Sequence, residues 1–181
     1  KCFSAGHDLG DIAEGEAVPS PGWHSETLRM MERLHKPVIA AVHGHCYTGA
    51  LEVALAADFI LAADTAKFAD THAKWALTPI WGMSQRLPRR VGEATAKRLM
   101  FTAETVRADA ALSMGLCEAV YPVDSFFDDV KAFAQPILVV QCREQLRLSI
   151  KLFLDVVRMG DDLTFIVART NAGDNFVQDD F

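Results

Sequence analysis

Apolar and polar positions fall into blocks along the first hundred residues. The stretch PVIAAVHG (37–44) is nearly all apolar, which predicts a strand covered on both faces. Cys46-Tyr47-Thr48 reads as a short connector. GALEVALAA (49–57), rich in Ala and Leu, predicts a buried helix. DFILAAD (58–64) reads as a second buried strand and AKFAD (66–70) as a short extended piece. Upstream, SETLRMMERLHK places Leu28, Met31 and Leu34 at helical spacing, with Ser25 as N-cap and Pro37 as the stop. AEGEAVPSPG (13–22) is the clearest loop.

Periodicity weakens after residue 70. Residues 71–84 mix Thr, Pro, Gly and two Trp without a period and read as a loop. Helical patterns resume over 84–100, with a break at Pro88, and over 107–114, ended by Gly115. LCEAVYP (116–122) predicts a strand, and Asp124 or Ser125 caps a helix through 134. Residues 145–157 send two signals: Leu146, Leu148, Ile150, Leu152 and Leu154 alternate as in a strand, while the length and the Arg, Lys and Gln content favour a helix. The helix is the expectation. Early strands interleaved with helices, then mostly helices, predict an α/β core over 1–122 followed by a helical part over 123–181.

Composition narrows the function classes. A chain of 181 residues fits one domain or one domain with a small appendage. Half of it is hydrophobic, enough for a sizeable core. The net charge of −6 argues against a nucleic-acid partner, since a phosphate backbone calls for a basic face. No apolar run reaches the ~18 residues of a membrane span. Cys2, Cys46, Cys117 and Cys142 are widely spaced, and read as reduced, buried thiols of a cytoplasmic protein. The opening KCFSAG and the closing NFVQDDF lead us to expect a chain that starts inside a domain and stops before a closing element.

Two stretches carry candidate chemistry. In HGHCYTGALE (43–52) a buried strand gives way to a helix within five residues. A helix's first turn has unpaired N–H groups, and Gly49 lets a ligand approach one closely. Glu52, three residues on, shares that face. A donor for a developing oxyanion and a carboxylate then look into one space. The plainer reading is a packing glycine and a Glu at the solvent edge. Near the start, Ser4-Ala5-Gly6 also keeps backbone bare, so the His7 N–H is a second candidate donor; the plainer reading there is a tight turn in which Asp8 bonds its own backbone.

Taken together, FSAGHDL, PVIAAVHGHCYTGALEVALAADFILAADTAKFAD, WGMSQRLPRRVG and MGLCEAVYP resemble the enoyl-CoA hydratase/isomerase (crotonase) family, in its order and at its separations. The resemblance implies a spiral of ββα units, preceded by further strands, with a helical C-terminal part that builds homotrimers and hexamers. It implies an acyl-CoA substrate and no cofactor, CoA being part of the substrate. The backbone N–H groups of His7 and Gly49 match the oxyanion hole, and Glu52 matches a catalytic glutamate that handles the water. Ala5 and its neighbours Ser4, Gly6 and Asp8 resemble the turn that binds CoA. The family's second glutamate sits in a phrase like FGxPE. Here the phrase is FADTHAKW, which puts His72 at that position and Asp70 nearby as an alternative carboxylate. His72 reads as a replacement acid/base or as a surface histidine. The His7 side chain reads as pocket wall, or as a group that narrows the acyl site.

Rival readings remain. His43, His45, Cys46 and His72 suggest a metal site, although the family has none there. Trp75 and Trp81 line an acyl pocket or serve as ordinary core. Arg86, Arg89, Arg90, Lys97 and Arg98 form a solvated face or a phosphate clamp. The expected activity is hydration of a trans-2-enoyl-CoA, a hydro-lyase reaction. Isomerase or thioester hydrolase chemistry and non-catalytic acyl-CoA binding are the alternatives.

Overall fold

The computed structural model of the chain describes residues 2–15, 17–20, 22–34, 37–144, 154–159 and 163–168. In chain order the strands are β1 (Val38–Val42), β2 (His45–Tyr47), β3 (Phe59–Ala63), β4 (Lys67–Ala69), β5 (Val106–Arg107), β6 (Ala119–Tyr121), β7 (Leu154–Met159) and β8 (Leu163–Ala168). The helices are α1 (Leu9–Glu14), α2 (Trp23–Glu32), α3 (Gly49–Ala54), α4 (Met83–Val91), α5 (Glu93–Thr102), α6 (Ala108–Ser113) and α7 (Phe126–Glu144). A 3-10 turn spans His72–Trp75.

Two sheets organise these elements. The larger runs β6-β3-β1-β8-β7 and the smaller β2-β4-β5. β1 is buried along its whole length, as its unbroken apolar run requires. Its side chains alternate between two cores. Val38, Ala40 and Val42 face one that holds Phe3, Leu51 and Phe68, and Ile39 and Ala41 face another that holds Phe126 and Val130 of α7. β1 pairs with β3 in parallel, Ala40 opposite Ile60. Parallel neighbours need a crossover, and α3, buried at every position, lies within it. β2 and β4 are likewise parallel, Tyr47 opposite Ala69.

Several boundaries differ from the sequence expectation. The 46–48 connector is mostly strand, because Cys46 is buried in β2 while His45 and Tyr47 flank it more openly. α2 starts at Trp23 behind Gly22, which adopts the left-handed conformation, so Ser25 lies inside the helix and is not its cap. It ends at Glu32, ahead of Pro37, and of its apolar trio only Leu28 is fully buried. Leu9–Glu14 is helical, capped by the Asp8 carboxylate, which accepts from the Gly10 N–H at 2.7 Å. Pro88 sits inside α4, and the break falls instead at Gly92 (φ 80°). α7 runs past 134 to Glu144. Residues 154–157, expected in a helix, belong to β7, which forms an antiparallel pair with β8; β8 in turn pairs with β1. The rest of that expected helix, 145–153, lies outside the described residues.

Candidate active site

The first residues run beside β2. Phe3 N–H donates to the His43 carbonyl at 2.7 Å and Ser4 N–H to the His45 carbonyl at 2.9 Å, while Tyr47 N–H donates to the Ser4 carbonyl at 3.2 Å. The pairing is parallel, Ser4 opposite Cys46. Parallel neighbours leave at the same end, so the turns that follow them, Ala5-Gly6-His7 and Thr48-Gly49, lie side by side. A Cβ on Gly6 would stand 3.4 Å from the Gly49 nitrogen and 2.9 Å from the Tyr47 carbonyl oxygen. Gly6 also has φ of 106°, so only glycine suits this contact. The Ser4 hydroxyl accepts from the Gly6 N–H at 3.0 Å and ties the first turn together.

The second turn holds strain. Thr48, a β-branched residue, has φ 53° and ψ −112°, outside the usual regions. Such a conformation costs on the order of 1–3 kcal/mol and persists only when its surroundings fix it. Here the Thr48 N–H donates to the Ala69 carbonyl at 2.8 Å, and its hydroxyl bonds that of Thr71. Those contacts set the direction of the Gly49 peptide.

Glu52 follows one turn into α3 and is buried. Its Oε1 accepts from the backbone N–H groups of Trp81 and Met83, both at 2.9 Å. Its Oε2 lies 3.8 Å from Nε2 of His72. The other ring nitrogen, Nδ1, is 2.5 Å from Oδ1 of Asp70, which also accepts from the His72 backbone N–H at 3.1 Å. Burial raises the Glu52 carboxyl above the ordinary glutamate range; the Met83 N–H, His72 and the Trp81 N–H pull it back, and Asp70 pushes it further up. His72, which the sequence left as acid/base or surface residue, is buried beside Glu52.

One cleft of about 1030 Å³ collects these groups. Ser4, Ala5, Gly6, His7, Asp8, Gly49, Glu52, His72, Trp75 and Trp81 all line it. All ten residues singled out in the sequence therefore meet, although the Asp8 carboxylate is engaged as the α1 cap. Trp81 packs so closely on Gly49 that a Cβ there would stand 2.6 Å from its Cζ3. His24, unforeseen from the sequence, stacks on Trp81 (ring centroids 4.7 Å apart, 23° between planes) and lies 5.3 Å from His7. The His7 ring, 5.4 Å from that of Trp81, forms part of the wall.

The rival clusters disperse. Cys46 is in the core, His45 is exposed against Tyr47, and His43 packs edge-on to Phe126 and Phe127. Among the described residues, no group of three or more His, Cys, Asp and Glu is placed to hold a metal ion. Arg86, Arg90, Lys97 and Arg98 pair with Glu32, Glu118, Glu93 and Glu104, which leaves a laced surface rather than a clamp. Cys46 and Cys117 are buried, but Cys2 is partly exposed, contrary to the expectation of a buried thiol. No helix among the described residues is long and apolar enough to cross a membrane.

This α/β architecture has counterparts among solved structures. An enoyl-CoA hydratase from Mycobacterium avium matches with TM-score 0.64 and 39% identity, over 76% of this chain and 56% of that one. An enoyl-CoA hydratase from Bacillus anthracis matches with TM-score 0.68 and 34% identity, over 74% of this chain and 53% of that one. The fold is thus the crotonase fold. The family model described as enoyl-CoA hydratase/isomerase matches residues 1–160, and the chain belongs to that family. Similar curated proteins include a crotonyl-CoA hydratase of Syntrophomonas wolfei and a carnitinyl-CoA dehydratase of Citrobacter koseri, each 38% identical over 141 residues, 76% of this chain and 54% of the relative. The chain spans about half the length of the curated relatives it matches.

Proposed function

We propose that this chain carries the active site of an enoyl-CoA hydratase, which adds water across a trans-2-enoyl-CoA double bond. The observation that carries the reading is the 3.8 Å separation of Glu52 Oε2 and His72 Nε2, in the cleft where the two turns adjoin. In this reading the thioester oxygen lies between the N–H groups of His7 and Gly49. Each such donor is worth about 2.7–4 kcal/mol of transition-state stabilisation. Ser4, Ala5, Gly6 and Asp8 contribute the turn that receives CoA, and Trp75 and Trp81 the wall along the acyl group.

The step balances on the chain's own groups. The water oxygen bonds to C3 while its proton passes to Oε2 of Glu52. The π electrons of the double bond move onto the thioester oxygen as an enolate. C2 then takes a proton from Nε2 of the doubly protonated His72 ring. The proton on Glu52 returns to His72, and one water has been added with no net change in protons. No resident cofactor takes part.

The finer setting belongs to the same proposal. Free thiols in the core, Cys46 and Cys117, favour a cytoplasmic protein. Exposed Phe101 and Leu112 on α5 and α6 favour burial in a homotrimer or a hexamer.

The test is incubation with crotonyl-CoA. Loss of the enoyl thioester absorption, with product heavier by one water, is the expected result. Tight binding of the thioester without turnover would instead mark a non-catalytic acyl-CoA-binding relative.

A further inference from the structure

We infer that Asp70 is a positioning residue, which fixes the orientation and tautomer of His72 so that Nε2, and not Nδ1, is the nitrogen presented to Glu52 and the reacting water. Asp70 is buried at the end of β4 and is absent from the cleft lining, so it meets substrate only through His72. One of its oxygens, Oδ1, receives both the His72 backbone N–H and Nδ1. A carboxylate there is acceptor-only when ionised, so the ring nitrogen facing it must carry the proton. The neutral ring is then the Nδ1–H tautomer, and the proton that His72 gives to C2 is the second one, carried on Nε2, which faces Glu52 Oε2. A buried carboxylate is costly unless hydrogen-bonded, and the two bonds to Oδ1 offset that cost.

The three groups form a line, Asp70–His72–Glu52, with the ring between two buried carboxylates. Asp70 lies two residues before His72 in the chain, so the device is local and does not depend on distant packing. The plainer alternative is that Asp70 only starts the 3-10 turn by accepting the His72 backbone N–H. Asparagine can do that with its single oxygen but lacks the carboxylate charge that holds the proton on Nδ1, which separates the two roles.

The kinetic part of this inference rests on the hydratase reading; the tautomer does not. Asp70→Asn should lower kcat for crotonyl-CoA at least ~100-fold, with KM changed by no more than about twofold. The limb of the pH–rate profile that responds to His72→Gln should also move in Asp70→Asn. Other titratable groups lining the cleft are Glu52, Lys74 on the same 3-10 turn, His7, Asp8, His24 and Tyr47, so the His72→Gln control is what assigns the limb. Nitrogen-15 NMR of the imidazoles in the wild-type protein should find neutral His72 protonated at Nδ1, a state lost in Asp70→Asn. Wild-type kcat and pH profile in Asp70→Asn would overturn the inference while leaving the hydratase reading intact. Absence of turnover in the wild type, with the Nδ1–H tautomer present and dependent on Asp70, would sink the hydratase reading and keep the positioning role. If Asp70→Asn fails to fold, the wild-type tautomer decides: protonation of neutral His72 at Nε2 overturns the proposal.

Discussion

Nε2 of His72 stands 3.8 Å from Oε2 of Glu52, too far for a direct hydrogen bond and close enough for one water to touch both. In the proposed reaction the two groups act as a unit. His72→Gln should lower kcat by about 10²–10⁴-fold. The double variant with Glu52→Gln should be no slower than the worse single one, since groups that share a step are grossly non-additive. Steady-state kinetics of the three variants on crotonyl-CoA checks this. Multiplicative losses would mean independent roles.

The elements around this pair were legible to different degrees. β1, α3 and β3 announce themselves because they are buried on every side, and a continuous apolar run has few other uses. β2 was hidden because only its central Cys46 is buried, and three residues are too few for a period. In 145–157 the helix expectation fails at 154–157, which are strand. Glu52 and Gly49 could be found from spacing within one helix turn. The union of the Ser4–His7 turn with Thr48-Gly49 came only through family resemblance, because the pairing joins residues some forty positions apart. His24 was invisible, as its place in the cleft depends on how α2 packs against Trp81.

Burial lifts the Glu52 carboxyl, so the acid limb of kcat/KM should lie above the range of an ordinary glutamate. The same shift affects stability. A carboxyl raised on folding favours the folded state below its unfolded value, and that advantage is lost as pH rises through the raised value. Glu52→Gln removes this dependence and keeps an acceptor for the Trp81 and Met83 N–H groups. Thermal melts from about pH 4 to pH 7 should find the variant gaining on the wild type as pH rises. A constant difference would show that Glu52 folds with an unshifted carboxyl.

Gly49 touches Trp81 with no room to spare. Gly49→Ala keeps the N–H but puts a methyl 2.6 Å from the indole, and should cost about 1–3 kcal/mol in urea unfolding. In a Trp81→Ala background the same change should cost clearly less. Equal costs in both backgrounds would place the conflict elsewhere.

The thiols should separate by burial. Cys46 is held well above the ordinary thiol range by burial, and burial also pushes Cys117 up, to about 11. Alkylation of the native protein at pH 8, read by peptide mass mapping, should modify Cys2 and spare these two until the protein is unfolded. Early labelling of Cys117 would contradict its buried setting.

The sharpest measurement sets Glu52→Gln beside the wild type, with crotonyl-CoA turnover and thioester affinity determined on the same preparations. The wild type should hydrate the substrate, and the variant should bind it with nearly unchanged Kd and turn it over at least ~100-fold more slowly. Equal turnover by both proteins would remove the buried carboxylate from the chemistry and the account with it.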